Sequence, residues 1–432
     1  MYKYSCPRWW GYSQGLRNMN TGNITSEDEV VELAKQDANN YTGSKSCDIS
    51  LLQKFHVTMK SVKNNKILGS NVIWFHCSSL GEYEQSLPLI KKLKEKKSNY
   101  KIALTFFSSS AYGNKLEKHL CDWSGYLPFE NSNKIDELTK FINPKLLVLI
   151  KNEFWPNLLD VLNQQKIPVI SVSSRFNNKN FFFKPWASWF LKKIKTIKYF
   201  YTVDDKSKHI LNKKGIKNSK CLGDTRMDRV YKLASKNHKN NIIEHFKKNK
   251  KCWIAGSTWK EDYDLITEYI ENIKSPKVII APHDCSSSSI SLIEKKLKIP
   301  CAKFSSYSYE NDNLKKVLII DSIGYLKYIY KYAIWAYVGG GMGKKGLHNI
   351  LEPAVYGIPI IIGDNYKKFP EAADLINRGD CFSVSNKNEF NEVVKKLSIK
   401  SNYIKINPRE YIMKNLGATN MIFNELELFL DD

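Results

Sequence analysis

Short apolar runs alternate with amphipathic stretches along this chain, and the alternation begins twice. The first series is NVIWFH, KIALTFF, LLVLI and IPVISVS, with helical spacing over Glu82 to Lys97 and Asn157 to Gln165. The second is CWIAG, KVIIAP, KVLIID, AIWAYV and IPIII, with helices such as Asp262 to Ile273 and a last amphipathic helix over Ala418 to Leu430. Short continuous apolar runs separated by helices are strands of a parallel sheet covered on both faces. The expected fold class is therefore α/β, with two Rossmann-like, doubly wound parallel-sheet domains. A length of 432 residues also exceeds one ordinary core. Residues 1–68 are polar and weakly patterned and are expected to be an atypical, poorly ordered lead-in. Residues 69–205 and 206–432 are the expected domains. Lys206 to Arg229 reads as a crossover, and the last helix is a candidate to pack back on the first domain.

The formal charge is +24, which suits an anionic partner: nucleic acid, an anionic membrane or acidic lipid headgroups. The lysines are dispersed, and aromatic-rich RNA-binding signatures are absent, so no nucleic acid is expected. Nine cysteines without a C-x-x-C pair argue against zinc and against a disulfide framework, and for a reducing cytoplasm. No apolar run approaches the roughly 18 residues that span a bilayer. MYKYSCPRWWGYSQG has no signal-peptide core. Membrane contact is accordingly expected to be peripheral.

The segment Ala333 to Pro359 is the richest in chemistry. An apolar strand meets Gly339, Gly340 and Gly341, then a basic loop, then His348, Asn349 and Glu352 ahead of a short helix. A glycine turn at a strand end lets backbone approach a ligand, and a helix N-terminus favours an anion. Gly341 to Gly346 fits G-x-G-x-x-G but lies late in the chain, without a helix opening at its third glycine, so a dinucleotide fingerprint is not supported. His348 and Glu352, four apart, would share a helix face. Asn349 and Glu352 suit ribose hydroxyls better than a metal.

Glu82 has two readings. Ser79-x-x-Glu82 has capping-box spacing. A glutamate at a helix start can also be a general base, kept ionised by the helix N-terminus. Thr258-x-x-Glu261 has the same spacing and reads as a cap. Glu153, beyond the LLVLI strand in KNEFWPN, is either a site residue or a helix N-terminal acid. Arg226 in GDTRMDR offers a fork to phosphate, or is a solvated loop residue. His283 in APHD is a phosphate donor or a structural histidine.

Seven ordered motifs, FHCSSLGEYEQSLPLI, KNEFWPN, GDTRMDR, AGSTW, APH, DSIGYL and GLHNILEPAVYGIP, resemble the 3-deoxy-D-manno-octulosonic acid (Kdo) transferases, most closely a Bacteroidetes-type branch. The resemblance runs from about Val72 to the C-terminus. It implies a GT-B pair of domains facing across a cleft, the first for the acceptor and the second for a CMP-sugar. It implies inverting, metal-independent transfer of Kdo from CMP-Kdo to a lipid A precursor, at the cytoplasmic face of the inner membrane, with no cofactor. By motif, Glu82 would be the general base, and Glu153 and Arg226 would stabilise the transition state. Pro282, His283, Ile323, Gly324, Tyr325, Asn349, Ile350, Leu351 and Glu352 would line the CMP site. Where many relatives carry E-x-E, this chain has Lys151-Asn152-Glu153. The family usually starts with an apolar anchor, which residues 1–68 do not resemble. The rivals are another GT-B nucleotide-sugar enzyme, whether a glycosyltransferase or an epimerase, and a basic nucleic-acid-binding protein.

Overall fold

A computed structural model describes residues 58–62, 68–108, 116–128, 131–236, 238–272, 276–344, 346–398 and 406–430. The expectation for residues 1–68 lies outside the described residues, apart from 58–62 and Leu68. The chain divides into two units: residues up to Arg229 together with Leu416 onward, and Val230–Asn415.

The first unit is one parallel sheet of seven strands: β1 (Val72–His76), β2 (Lys101–Phe106), β3 (Trp123–Tyr126), β4 (Pro144–Ile150), β5 (Val169–Ser174), β6 (Tyr199–Thr202) and β7 (Ser219–Cys221). Their order is β3-β2-β1-β4-β5-β6-β7, so the winding reverses between β1 and β4. A crevice opens at the carboxyl ends of strands at such a reversal. The helices used below are α1 (Leu80–Lys96), α2 (Pro156–Gln164), α3 (Ser188–Ile194) and α4 (Thr225–Ala234). On α1, Tyr83, Leu87 and Ile90 recur at helical spacing and are buried against the sheet. Pro156 opens α2, where its missing N–H costs nothing.

The second unit repeats the plan with β8 (Cys252–Thr258), β9 (Lys277–Pro282), β10 (Cys301–Lys303), β11 (Val317–Ile319), β12 (Ala336–Val338), β13 (Ile360–Gly363) and β14 (Cys381–Val384). The order is β10-β11-β9-β8-β12-β13-β14, all parallel, with the reversal between β8 and β12. Its candidate site residues lie near α5 (Lys260–Asn272) and α6 (Leu351–Ala354).

The chain ends in α7 (Ala418–Glu427), which belongs to the first unit. Its Ile422, Phe423 and Leu426 enter the same core as Tyr83, Leu87 and Ile90 of α1. Each such buried side chain stabilises by about 1.5–3 kcal/mol. Gly417, at φ 103°, leaves α7 without a cap of its own. Asp228 of α4 supplies one, accepting from the Gly417 N–H at 2.7 Å, the Thr419 N–H at 2.7 Å and the Thr419 hydroxyl at 2.6 Å.

The expected division at 205/206 differs from the observed one at 229/230. The stretch read as a crossover carries β7, which extends the first sheet, and the start of α4. Among the described residues no helix is long and apolar enough to cross a membrane.

Candidate active site

At the first reversal, β1 leads through Cys77, Ser78 and Ser79 into α1, and β4 leads through Lys151 and Asn152 to Glu153. Glu82 and Glu153 therefore leave the carboxyl ends of neighbouring strands. Glu82 is 7% exposed. Only half of the expected capping box is made. The Glu82 carboxylate takes the backbone N–H groups of Ser78 and Ser79, but the Ser79 side chain makes no cap. Oε2 of Glu82 is buried with no hydrogen-bond partner among the described residues, a costly state for an ionised oxygen. Burial raises the Glu82 pKa above the usual carboxylate range, and the Glu153 charge raises it further. The helix N-terminus, expected to keep this carboxylate ionised, is overridden by desolvation.

Lys151 opposes that rise, its Nζ lying 3.9 Å from Glu82 Oε1. It sits at φ 61°, a left-handed conformation costly for a residue with a Cβ and one that gathers at functional sites. Burial also raises the Glu153 pKa, while Ser78 and Lys151 hold it down. Ser78 Oγ donates to Glu153 Oε2 at 2.5 Å. Its one hydrogen is thereby committed, so His76 Nε2, 3.3 Å away, is the donor to Ser78. His76 Nδ1 then accepts from Thr105 Oγ1 at 2.9 Å, and Thr105 accepts from Trp74 Nε1 at 2.8 Å. Burial pushes the His76 pKa down to about 3, so the ring is neutral. Glu153 is thus fixed from behind by a neutral chain of donors.

Arg226 is held rather than solvated. Asp224 Oδ2 takes its Nε at 2.9 Å and an Nη at 2.7 Å. Burial would raise the Asp224 pKa, but Arg226 outweighs it and the net shift is downward. Asp224 also accepts from Gln85 at 2.9 Å, and the Thr225 hydroxyl donates to the Gln85 carbonyl at 2.7 Å. Arg226 is therefore tied to the opening turns of α1, where Glu82 stands. Arg229 pairs with Glu84 at 2.7 Å.

In the second unit the strand ends approach one another closely. A Cβ on Gly339 would lie 2.6 Å from the Ser257 carbonyl, and one on Gly341 would lie 2.7 Å from the Gly363 nitrogen. The near neighbours that demand glycine here are the protein's own backbone, where the sequence suggested a ligand. Asp262, fully buried, ties these ends together. It accepts from the Trp259 N–H at 2.7 Å, the Gly340 N–H at 3.1 Å and the Tyr337 hydroxyl at 2.6 Å. Thr258 ends β8 rather than capping α5, and Asp262 serves the turn in its place.

His283 stacks on His348 with ring centres 4.3 Å apart, and on Trp259 at 4.5 Å. Trp259 Nε1 donates to His348 Nε2 at 2.7 Å, which puts the proton of a neutral His348 on Nδ1. His348 precedes α6, so it does not share a helix face with Glu352. Asn349 braces the turn into α6, accepting from the Leu351 N–H at 3.2 Å and donating to Glu352 at 3.2 Å. Ile350 and Leu351 are buried, and Pro282 ends β9 in the sheet. These three can offer a ligand little beyond backbone. Ile323, Gly324 and Tyr325 follow β11 and line a cavity of about 330 Å³ with His238, Lys239 and Tyr328. Pro282, His283 and Asn349 to Glu352 do not line it.

Lys151 was noted in the sequence only as a missing acid, and Asp262 only as a helix start. Trp259 lay in a quoted motif without a role. Their partners are set by neighbouring strand ends far apart in the chain.

Residues 50–229 match the family described as 3-deoxy-D-manno-octulosonic-acid transferase (kdotransferase). The chain is 27% identical over 349 residues to the 3-deoxy-D-manno-octulosonic acid transferase of Aquifex aeolicus, covering 79% of this chain and 89% of that one. It is 26% identical over 344 residues to a bifunctional glycosyltransferase/methyltransferase of Fusobacterium nucleatum, covering 76% of this chain but only 53% of that protein's length. In three dimensions it is similar to the S. aureus MnaA–UDP co-structure, with a TM-score of 0.60 at 13% identity over 84% of this chain and 97% of that one. That likeness is one of fold, the GT-B pair of Rossmann-like units. The ordered motifs, the family match over residues 50–229 and the aligned relatives agree: this chain is similar to the Kdo transferases.

Proposed function

We propose that this protein transfers Kdo from CMP-Kdo to a lipid A precursor in lipopolysaccharide synthesis, with inversion and without a metal in the transfer step. The observation that carries the mechanism is Glu82: a buried carboxylate at a sheet reversal, one oxygen left open, its proton affinity raised by burial. In the proposed step the acceptor hydroxyl oxygen bonds to the anomeric carbon of Kdo. Its proton passes to Glu82, and the bond from that carbon to the CMP phosphate breaks with its electron pair leaving on phosphate. Glu153 and Arg226 offset charge in the transition state. His283, Asn349 and Glu352, with the backbone of Pro282, Ile350 and Leu351 and the Ile323–Gly324–Tyr325 loop, are the proposed CMP contacts. CMP is already a good leaving group, so cationic side chains and backbone N–H groups suffice to receive it. The proposed place of action is the cytoplasmic face of the inner membrane, reached peripherally.

The test is incubation with CMP-Kdo, generated in situ, and a tetraacylated lipid A precursor, followed by mass analysis. The expected products are heavier than the acceptor by whole Kdo residues. An acceptor left unmodified while CMP-Kdo persists would remove the proposal. Consumption of another nucleotide sugar in the absence of any acceptor would favour an epimerase.

A further inference from the structure

Between Asp160 and Asp204 the chain holds no acidic residue and eight lysines and arginines. Within this stretch, in the first unit, two tryptophans face water: Trp186 is 65% exposed and Trp189 is 43% exposed. Lys184, Lys192 and Lys195 around them are exposed as well. Large exposed indoles are unusual on a soluble surface, and beside lysines they have the composition of a membrane-interface belt.

The position of this surface is also informative. The stretch leaves the carboxyl end of β5, next to β4, whose carboxyl end carries Lys151 and Glu153. Trp186 lies in the short turn Pro185–Ala187 ahead of α3, and Trp189 in the first turn of α3, before the chain returns to β6. The support beneath them is rigid. Phe154, adjacent to Glu153, stacks on Phe176 and packs edge-on to Phe182, and Phe182 packs on Phe190 beside Trp189. Arg175 is pinned by its N–H to the Asn152 side chain at 3.0 Å. The exposed indoles and Glu153 are therefore joined, through Phe154 and Phe190, by one packed aromatic cluster beside the carboxyl ends of β4 and β5.

We propose that the segment Phe181–Lys198 docks on an anionic phospholipid bilayer. Trp186 and Trp189 sit at headgroup level, and Lys184, Lys192 and Lys195 meet the lipid phosphates. An indole pair favours this over RNA, which calls for a groove that tracks a backbone past a succession of stacking faces. The inference deepens the proposed function and rests on it for its purpose, since a lipid-borne hydroxyl must be taken from a bilayer. Its physical basis is independent of that reading.

The experiment is cosedimentation of the full chain with vesicles of phosphatidylcholine, alone or mixed with phosphatidylglycerol. The protein should bind the mixed vesicles and release from them in salt. Trp186→Ser with Trp189→Ser should weaken binding about tenfold or more. Lys184→Gln, Lys192→Gln and Lys195→Gln together should weaken it roughly a hundredfold, about fivefold for each lysine. A charge-matched control, Lys248→Gln with Lys250→Gln and Lys251→Gln, alters an exposed basic stretch of the second unit and should change binding less than about twofold. Circular dichroism should show all three folded, since the altered side chains are exposed. Equal loss in the control would mean net charge alone binds lipid and would overturn the proposal. So would unchanged binding in the tryptophan variant, or tighter binding to homopolymer RNA that the same residues control. Transfer to a detergent-dispersed acceptor should survive in the tryptophan variant. Lipid binding through these residues in a protein that transfers no Kdo would leave this surface standing and remove the proposed function.

Discussion

Each unit buries a carboxylate where its sheet reverses direction, Glu82 in the first and Asp262 in the second, and burial raises the pKa of both. They differ in what meets them. Asp262 receives three donors and spends its charge holding two strand ends and the glycine turn together. Glu82 has one oxygen without a hydrogen-bond partner among the described residues, a second acid, Glu153, nearby and a lysine at 3.9 Å. A satisfied buried acid is a structural clamp. A partly unsatisfied one holds reactivity that the fold has paid to keep. The first unit thus holds an acid suited to the proposed proton transfer, and the second a clamped backbone beside stacked rings, the proposed nucleotide contacts.

The largest expected effect separates these roles. Glu82→Gln should lower transfer by about a thousandfold, the range for loss of a general base, with CMP affinity unchanged by titration. It should also raise the melting temperature at neutral pH. The folded pKa of Glu82 lies above the unfolded value of 4.5, so its favourable contribution is present below that value and is lost as pH rises through the folded pKa. Glutamine removes that loss, so the gain should vanish in acid. Near-normal turnover would reduce Glu82 to its half capping box.

Asp262→Ala should behave in the opposite way. Leaving three buried donors unmet should cost about 3 kcal/mol in chemical denaturation and weaken CMP binding with it. Unchanged stability with lost turnover would break the contrast between clamp and base.

Lys151→Met should move the acid limb of the pH–rate profile upward, because the Lys151 charge, with the Ser78 and Ser79 N–H groups, opposes the rise in the Glu82 pKa. Activity near pH 6 should fall more than activity near pH 9. A uniform loss across pH would mean that Lys151 only shapes the backbone at its left-handed φ. The smallest effect is expected from Glu352→Ala, a several-fold loss in CMP affinity by titration, since Glu352 is one of several proposed contacts. Unchanged affinity would take Glu352 out of the nucleotide site.

The central strands were legible because burial on both faces leaves continuous apolar runs, as in VIWFH and IIIG. The edge strands WSGY, SKC, CAK and CFSV were not. They are three or four residues long and partly polar, and β3, β7, β10 and β14 pair on one side only. Overlooking β7 also displaced the expected division of the chain. Glu82, Glu153 and Arg226 were legible as members of motifs. What surrounds them was not, because Ser78 reaches Glu153 across 75 positions, and Gln85 reaches Asp224 across 139. Spacing along a chain carries no trace of contacts that only the strand order creates.

The helix α7 bears on the order in which the protein can be made. Its residues leave the ribosome after the whole of Val230–Asn415, yet Ile422, Phe423 and Leu426 complete the core around α1, and Asp228 waits for Gly417 and Thr419. The first unit to be synthesised is therefore the last to be finished. During translation its α1 face stays open while the second unit folds. A ribosome that stops short of α7 would release a chain with a complete second unit and an unclosed first one. The protein thus holds its proposed catalytic carboxylates on a closed core only once α7 has been made.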